Sequence, residues 1–378
     1  MDLNLSDEQR LLRESAERFV NESYNADHRR RMLNDPRGFS PDVWKQFADL
    51  GWLALPIGEA YGGLGGGAVE IGLLMEPFGR GLVSEPYIAT VVLGAALVER
   101  CGTEAQKQAI LPKVAEGALF LSLAHSERAA RFDLAKVATA AKRTADGWVL
   151  KGSKIAALDG HTANEIIVSA VIEGERKLGL FLVPAKTPGL TVTDYERLGG
   201  GRACNLELAD VKLAKDALLG DGSDALPAIE WAIDRAMAAL GAEAVGIMQT
   251  LLDMTLDYTK IRKQFGRPLS ANQVIRHRLA DMSMQCDEAR SMALRAALMA
   301  DAEPLVRSRA ASAAKAKIGK CARFVAEQSV QLHGAMGVTE ELDIGSYFKR
   351  LLAFDTLFGG SAHHYRRHAA LGGRSIQA

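Results

Sequence analysis

The sequence predicts an α+β protein with an N-terminal helical domain, a middle antiparallel β-domain and a C-terminal four-helix bundle. Three observations carry this prediction. Apolar residues recur at helical spacing to about residue 118, the period then shortens to two residues, and helical spacing returns from about residue 224. The predicted domains of the 378-residue chain are therefore 1–118, 119–223 and 224–378.

Composition narrows the possible functions. The 46 Lys and Arg residues balance the 46 Asp and Glu residues, so the basic excess that is typical of a nucleic-acid-binding protein is absent. No apolar run reaches the roughly 18 residues of a membrane span. The first residues do not resemble a signal peptide, and the four cysteines are isolated, as in proteins that keep their thiols reduced. We expect a cytoplasmic protein.

The N-terminal domain carries clear helix-start signals. Ser6 with Gln9 three residues later forms a capping box, and apolar residues follow at helical spacing. Ser40 precedes Pro41 at the first position of the next helix, and Gly51 ends it. Further helices are predicted over 68–78, 88–100 and 104–116.

A glycine-rich segment, YGGLGGG at 61–67, raises the question of a phosphate-binding loop. No strand pattern precedes it, and the GK[ST] that completes a P-loop is missing. We interpret the segment as a connection between helices, with a nucleotide cradle as the weaker alternative.

The sequence of the middle domain predicts a series of short strands. Asp146-Gly147 is a turn signal between VATAAKRT and GWVLKGSKIAAL. Four more strand patterns follow, separated by Gly, Pro and charged residues: EIIVSAVIEG, KLGLFLVPA, LTVTDYERLG and CNLELADVKL. This spacing predicts a small antiparallel sandwich or barrel.

The last domain begins with an unusually long helix. Asp224 caps it, Pro227 lies in its first turn, and apolar residues keep a three–four spacing to Tyr258. At about 1.5 Å per residue the helix approaches 50 Å, a length that is stable only within a bundle. Comparable helices are predicted over 270–301, 304–334 and 343–358.

Generic catalytic motifs are weak in this chain. His364 and His368 are spaced four residues apart, which could place two imidazoles on one helix face. The HExxH arrangement and a nearby third ligand are missing, so we interpret the pair as solvated or interfacial and predict no metal site. A GxSxG nucleophile elbow is also missing.

Two segments are far more specific: YTKIRKQFGRPLSANQ at 258–273 and QLHGAMGVTEELDIGSYFKR at 331–350. Together with FADLGWLALPIGEAYGGLGGG at 47–67, they resemble the acyl-CoA dehydrogenase superfamily over essentially the whole chain. The resemblance implies the fold predicted above. It also implies an FAD that lies between the β-domain and the bundle and reaches into a neighbouring subunit.

The resemblance further assigns contacts with the dinucleotide half of FAD. The matching residues are Arg262, Gln264, Phe265 and Gln273 in the first segment, and Gln331, Gly334 and Ala335, which reach the pyrophosphate from the partner subunit, in the second. The chemistry agrees, because a guanidinium offers forked donors to phosphate oxygens and small residues let backbone N–H groups come close.

The reaction implied by the resemblance is α,β-dehydrogenation of an acyl-CoA thioester. A carboxylate removes the α-proton, and the β-hydrogen leaves as a hydride to the flavin. The usual Glu in the family's Tyr-Glu-Gly-Thr segment matches Gly359 in LFGGS, and glycine cannot accept a proton. In branched-substrate members the base lies on the first bundle helix, at a position that falls near Ala236.

The β-domain also departs from the family pattern. HSERAARFD at 125–133 replaces a Thr-Glu-Pro-Gly-Ala-Gly-Ser-Asp run. Ala156 and Leu158 replace the Trp and Thr that usually meet the flavin. These departures, with MAALGAEAVG and YFKRLLAFDTLFG, resemble the small subunit of pimeloyl-CoA dehydrogenase, a type that degrades dicarboxylic, alicyclic or side-chain acyl-CoAs with a larger homologous subunit.

The leading hypothesis is therefore an FAD-containing dehydrogenase subunit that works with a paralogous large subunit in a heterotetramer. The resemblance also implies electron-transfer flavoprotein as electron acceptor. Three alternatives stay open: a catalytically inactive structural partner, a homo-oligomer with a relocated base and, more remotely, a flavin oxidase.

Two carboxylates are candidates for a relocated base. Glu243 lies two helical turns beyond Ala236 on the same face, among Ala, Val and Ile residues, where burial would raise the pKa of an unpaired carboxyl. The favoured alternative is that Glu243 pairs with an arginine inside the bundle. Asp355 is the second candidate.

Overall fold

The computed structural model describes residues 4–339 and 341–372. Contacts divide the chain into two compact units: one contains Met1–Arg31, Ala68–Val83 and Met237–Ala378, and the other contains Met32–Gly67 and Ser84–Ala236. The division falls inside a single long helix, between Ala236 and Met237. The three-domain boundaries at 1–118, 119–223 and 224–378 stay a prediction.

The helices follow the predicted order. They are α1 (Asp7–Ser23), α2 (Ala26–Asn34), α3 (Pro41–Asp49), α4 (Ala68–Gly81), a π-helix (Ile88–Ala95), α5 (Ala96–Cys101), α6 (Glu104–Ala115), α7 (Leu226–Ile261), α8 (Gln273–Leu298), α9 (Pro304–His333), α10 (Ile344–Thr356) and α11 (Ser361–Leu371). The helix predicted over 88–100 is thus a π-helix that continues into an α-helix. None of the helices within 4–339 and 341–372 combines the length and apolarity that a bilayer span needs.

The predicted starts of α1 and α3 are confirmed. The Ser6 hydroxyl accepts from the backbone N–H of Gln9 at 3.2 Å, and the Gln9 side chain accepts from the N–H of Ser6 at 3.0 Å. The Ser40 hydroxyl accepts from the N–H of Val43 at 3.3 Å, and Pro41 is the first helical residue. These caps satisfy N–H groups that have no partner inside the helix.

The middle segment forms a seven-stranded sheet. Its strands are β1 (Leu121–Ala124), β2 (Ala140–Arg143), β3 (Gly147–Leu158), β4 (Glu165–Ile172), β5 (Leu178–Pro184), β6 (Leu190–Glu196) and β7 (Arg202–Ala214). The order is β1-β4-β2-β3-β7-β6, and β5 pairs with β4. Most pairs are antiparallel, as predicted, but β1 and β2 both run parallel to β4, so the sheet is mixed. Sequence alternation identifies strands but does not give their direction relative to neighbours, which long-range pairing decides.

The glycine-rich segment at 61–67 is a connection. Its loop folds back over the preceding turn, where the N–H of Gly65 donates to the carbonyl of Ile57 at 2.8 Å and the N–H of Gly66 donates to that of Leu55 at 2.7 Å. A Cβ at Gly63 would overlap the carbonyl oxygen of Ile57. Because carbonyls of the preceding turn already accept from these N–H groups, the groups are not arranged as a phosphate cradle.

The bundle is centred on α9, which packs against α8, α10 and α11. Its buried face consists largely of small residues, which let neighbouring helices come close. One charged side chain, Lys315, lies in this face with 1% of its surface exposed. Its contacts determine the geometry of the connection between α10 and α11.

Candidate active site

The connection between α10 and α11 is a sharp bend at 357–360. The backbone of Phe358 has φ +57° and that of Gly359 has φ +105°, both in the left-handed half of the conformational map. The N–H of Gly359 donates to the carbonyl of Thr356, and Gly360 is the N-cap of α11. Gly359 therefore marks the bend, because an L-amino acid is strained at this φ.

Space at Gly359 is also limited. A Cβ at this position would lie 2.7 Å from Cδ2 of His363 and 3.0 Å from Nε2 of His364. The structure therefore disfavours Gly359→Glu as a way to place a carboxylate at this position. The backbone conformation and the two imidazoles both oppose a side chain here.

Lys315 holds the bend from α9. Its Nζ donates to the carbonyls of Phe354 at 2.7 Å, Asp355 at 3.3 Å and Gly359 at 2.9 Å, so all three ammonium protons are used. The same Nζ lies 4.4 Å from the centre of the Phe354 ring. Burial lowers the pKa of Lys315 to about 8, although the nearby Asp355 carboxylate opposes this shift.

Asp355, a predicted candidate base, makes hydrogen bonds that hold the start of α11. Its Oδ1 accepts from the backbone N–H of Ser361 at 3.2 Å and from the Ser361 hydroxyl at 2.8 Å. These bonds satisfy groups at the start of α11. A Cβ at Gly319 on α9 would overlap this pair of side chains, so the glycine makes room for them.

Glu243, the other candidate base, is paired with an arginine, as the favoured alternative supposed. Its Oε1 accepts from Nε of Arg350 at 2.9 Å and from Nη2 at 2.6 Å. The same Nη2 donates to the carbonyl of Val83 at 3.0 Å. Glu243 is 5% exposed, so the pair holds its carboxylate in the interior against the partly buried guanidinium of Arg350.

His363 is a titratable group at the bend that sequence reasoning did not single out. It lies four residues after Gly359, in the first turn of α11, and its ring meets that of His364 edge-on at 4.9 Å between centroids. Burial, followed by the charges of Arg367, Arg366 and Lys315, lowers the pKa of His363. The four-residue spacing between Gly359 and His363 can be seen in the sequence. The bend that brings the two residues together cannot.

The residues expected to hold the dinucleotide half of FAD lie at two exposed places. Arg262 and Gln264 lie at and just after the end of α7, where strands β8 (Lys263–Gln264) and β9 (Arg267–Pro268) form a small hairpin. Phe265 at the hairpin tip has φ +51° and is fully exposed. Gln273 is the exposed first residue of α8.

The second place is the end of α9, where Gln331, Gly334 and Ala335 are exposed. Gly334 has φ +60°, and a Cβ there would meet nothing within 4 Å. Tyr258 on α7 stacks on His333 at 4.4 Å and donates its hydroxyl to the His333 carbonyl, which joins the ends of α7 and α9.

The hydrogen-bond donors at these two places suit the dinucleotide half of FAD. The residues at the usual flavin-ring positions of β3 do not suit the flavin ring. Arg262, side-chain amides and an open backbone at Gly334 suit a pyrophosphate. In β3, however, Leu158 is buried, and neither it nor Ala156 has a side-chain donor for a flavin ring. Among the residues in 4–339 and 341–372, no group of three or more His, Cys, Asp or Glu side chains could hold a metal ion.

Comparisons with known proteins show the family of the chain. Three family profiles match: the acyl-CoA dehydrogenase N-terminal domain over residues 6–118, the middle domain over 122–211 and the C-terminal domain over 226–370. The probable acyl-CoA dehydrogenase YngJ of Bacillus subtilis is 34% identical over 356 residues, which cover 91% of this chain and 92% of the relative.

Two solved structures extend the similarity to the fold. Glutaryl-CoA dehydrogenase of Mycobacterium smegmatis in complex with FADH2 matches with a TM-score of 0.90 and 25% identity, over 99% of this chain and 97% of the other. The Tcur3481-Tcur3483 steroid ACAD matches with a TM-score of 0.87 and 29% identity, over 97% and 98%. The chain therefore belongs to the acyl-CoA dehydrogenase family, whose members dehydrogenate acyl-CoA thioesters with FAD as the cofactor.

Proposed function

We propose that this chain is a subunit of an acyl-CoA dehydrogenase that carries out α,β-dehydrogenation together with a paralogous, larger subunit. The proposal rests on the observation that this chain has residues for one half of the FAD site but lacks those for the other half and for the usual base. Residues suited to the dinucleotide half of FAD are present and exposed, whereas Gly359 stands at the usual base position and Leu158 at a usual flavin-ring position. A second subunit would supply what is missing.

In this proposal Arg262, Gln264, Phe265 and Gln273 bind the adenosine-diphosphate half of FAD. Gln331, Gly334 and Ala335 approach the pyrophosphate of an FAD held mainly by the neighbouring subunit. The bound cofactor supplies the acceptor for the β-hydride of the substrate. The protein binds and orients the thioester and polarises its carbonyl, because the α-hydrogen is otherwise too weakly acidic.

The substrate class follows from the resemblance to the pimeloyl-CoA dehydrogenase small subunit. We infer a dicarboxylic, alicyclic or side-chain acyl-CoA as substrate and electron-transfer flavoprotein as electron acceptor. The Tcur3481-Tcur3483 steroid ACAD, whose name joins two components, supports a paired assembly. A catalytically inactive structural partner is the second candidate, which the glycine at 359 favours.

The proposed dinucleotide site can be tested by FAD content. Arg262→Ala removes the forked donor for the pyrophosphate, so we expect the purified protein to hold substantially less FAD per chain, measured by absorbance after denaturation. Arg323→Ala is the matched control, since Arg323 is an exposed arginine that pairs with Glu327 one turn along α9. Stoichiometric FAD in Arg262→Ala would refute the assignment.

A further inference from the structure

We propose that Tyr258 and His333 are positioning residues of the proposed dinucleotide site, because their contact fixes the turn after α9 relative to the end of α7. Neither side chain needs to touch FAD in this role. The inference deepens the proposed function and rests on it, since it concerns the FAD that Arg262, Gln331 and Gly334 are proposed to bind.

The first argument is that the two side chains join the two proposed FAD-binding segments of one chain. The Tyr258 hydroxyl donates to the His333 carbonyl at 3.3 Å, and the two rings stack with centroids 4.4 Å apart and planes inclined by 28°. Arg262 follows one helical turn after Tyr258, and its N–H donates to the Tyr258 carbonyl at 2.8 Å. Gly334 follows His333 directly. A shift of either ring would therefore move backbone that carries a proposed FAD contact.

The second argument is that His333 is itself held firmly. It is buried, and its Nδ1 lies 2.8 Å from the carbonyl oxygen of Ser329, one turn earlier on α9. Because a carbonyl only accepts hydrogen bonds, Nδ1 carries the proton. Burial lowers the pKa of His333, although the hydrogen bond to Ser329 opposes this shift, so the stacked ring is neutral at pH 7. A ring with one orientation and one protonation state can serve as a fixed support for its neighbours.

The third argument is that the turn after α9 packs on His333. Gly334 has φ +60° and ψ −137°, a conformation that only glycine adopts readily, and the chain then folds back over the last turn of the helix. A Cβ at Gly337 would lie 2.7 Å from the Val330 carbonyl oxygen and 3.0 Å from Cβ of His333. Gly337 is buried, whereas Gly334 and Ala335 are exposed. The buried side of the turn thus rests on His333, and its exposed side is left open to the pyrophosphate.

This arrangement matters for affinity because Gly334 and Ala335 offer the pyrophosphate only backbone groups. A binding segment that is free to move loses affinity, since that freedom has to be given up when the ligand binds. The ring of Tyr258 restrains the segment from another helix, 75 residues away in the sequence. We therefore expect loss of the pair to speed the release of FAD more than it destabilises the bundle.

The experiment measures how fast FAD leaves the FAD-loaded protein on dilution, followed by the rise of FAD fluorescence, together with the melting temperature of the same sample. The protein is purified with its paralogue where the two co-purify. His333→Ala removes the ring on which the turn rests, so we expect FAD to leave about three- to tenfold faster, the factor that one aromatic pair is worth. His333→Phe keeps a ring for Tyr258 to stack on and should restore the wild-type rate.

A double-mutant cycle tests whether the two rings act as one unit. Tyr258→Ala should also speed FAD release, and the double variant should release FAD little faster than the faster single variant, because both changes remove the same contact. If His333→Ala does not fold, Tyr258→Phe decides, since it keeps the ring and removes only the hydroxyl bond to the His333 carbonyl. We expect it to release FAD about two- to tenfold faster, and a wild-type rate overturns the proposal.

Val325→Ala is the matched control. Val325 is a fully buried residue earlier on α9, so its truncation should lower the melting temperature by leaving a cavity. It lies outside the contact between Tyr258 and His333, and we expect FAD release at the wild-type rate.

The remaining outcomes separate this inference from the proposed function. Unchanged FAD release in His333→Ala, or release from His333→Phe that is as fast as from His333→Ala, overturns the inference and leaves the proposed dehydrogenase subunit intact. Fully additive effects in the double variant, or equally fast release from Val325→Ala, also overturn it, because the rings would then act independently or through stability alone. Wild-type protein that holds no FAD, alone or with a paralogue, overturns the proposed function and this inference together.

Discussion

Glu127 and Lys154 form an ion pair inside the β-sheet unit. Nζ of Lys154, whose side chain is fully buried, lies 2.7 Å from Oε1 of Glu127 and also donates to the Ser169 hydroxyl at 3.1 Å. Glu127 further accepts from the Thr139 hydroxyl at 2.7 Å. The pair ties the segment at 125–133, where the chain departs from the family pattern, to β3.

The protonation of Glu127 makes this pair sensitive to acid. Burial alone would raise the pKa of Glu127, but the hydrogen bonds from Lys154 and Thr139 outweigh it and hold the pKa at about 2. A carboxyl with a pKa below its ordinary 4.5 stabilises the folded state above pH 4.5. That contribution is lost as the pH falls from 4.5 towards 2.

We therefore predict that Glu127→Gln lowers the free energy of unfolding at pH 7 by about 3–5 kcal/mol, because Lys154 is left as an unpaired buried cation. The difference in the free energy of unfolding between wild type and Glu127→Gln should shrink as the pH falls through 4.5. Denaturation followed by near-UV circular dichroism from pH 7 to 3 measures this difference. Glu207→Gln, at an exposed position on β7, should track wild type, and equal profiles for the two variants would contradict the prediction.

At the scale of elements, α4 and α7 cross at unusually close range. Gly79 on α4 faces the carbonyl oxygen of Glu243, and Gly246 on α7 faces that of Glu76. A Cβ at either glycine would overlap a backbone oxygen that cannot rotate away. The crossing fixes the turn of α7 that carries Glu243, and so helps to hold its pair with Arg350.

Gly246→Ala should accordingly lower the free energy of unfolding by about 1–3 kcal/mol or more, as overpacking of a core does. The control is Gly72→Ala on α4, where a Cβ would meet only Ala242 Cβ at 3.8 Å. This variant should be stabilising by about 0.5–1 kcal/mol, because alanine is the better helix former. Urea denaturation compares the two, and equal stability would mean that the crossing is not close-packed.

At the scale of the whole molecule, the proposed dinucleotide segments leave large apolar side chains in solvent. Phe265 is fully exposed, and Val338, after the end of α9, is 75% exposed. Exposed apolar groups beside a proposed shared cofactor are typical of a surface that a second chain covers. We infer that the chain associates at least as a dimer, and as a pseudo-symmetric dimer of dimers with a paralogue.

Light scattering at micromolar concentration should give at least twice the 40.7 kDa mass of one chain, alone or with the paralogue. Phe265→Ser should shift the protein towards the monomer, because it removes apolar surface at the proposed interface. Leu11→Ser is the control, since Leu11 is 65% exposed on α1, outside both dinucleotide segments. A monodisperse wild-type monomer would contradict the assembly.

The sequence alone determined the features that depend on near neighbours in the chain. Capping at Ser6 and Ser40, the turn at Asp146-Gly147 and the bounds of β3 follow from local hydrogen bonding and from the period of apolar residues. The family followed from two short segments whose residue order is specific. That a glycine stands at 359, where the resemblance implies the usual base, was likewise visible from residue identity.

Only the tertiary structure decided what the remaining titratable groups do. Glu243 and Arg350 are 107 residues apart in sequence, so no local pattern could pair them. Lys315 reaches the Gly359 carbonyl from another helix, 44 residues away. The parallel pairing of β1 and β2 with β4, and the approach of His363 to Gly359, depend on how distant elements and a bend bring groups together. Burial and partners, which are set by packing, hold the carboxylates of Glu243 and Asp355 in structural contacts.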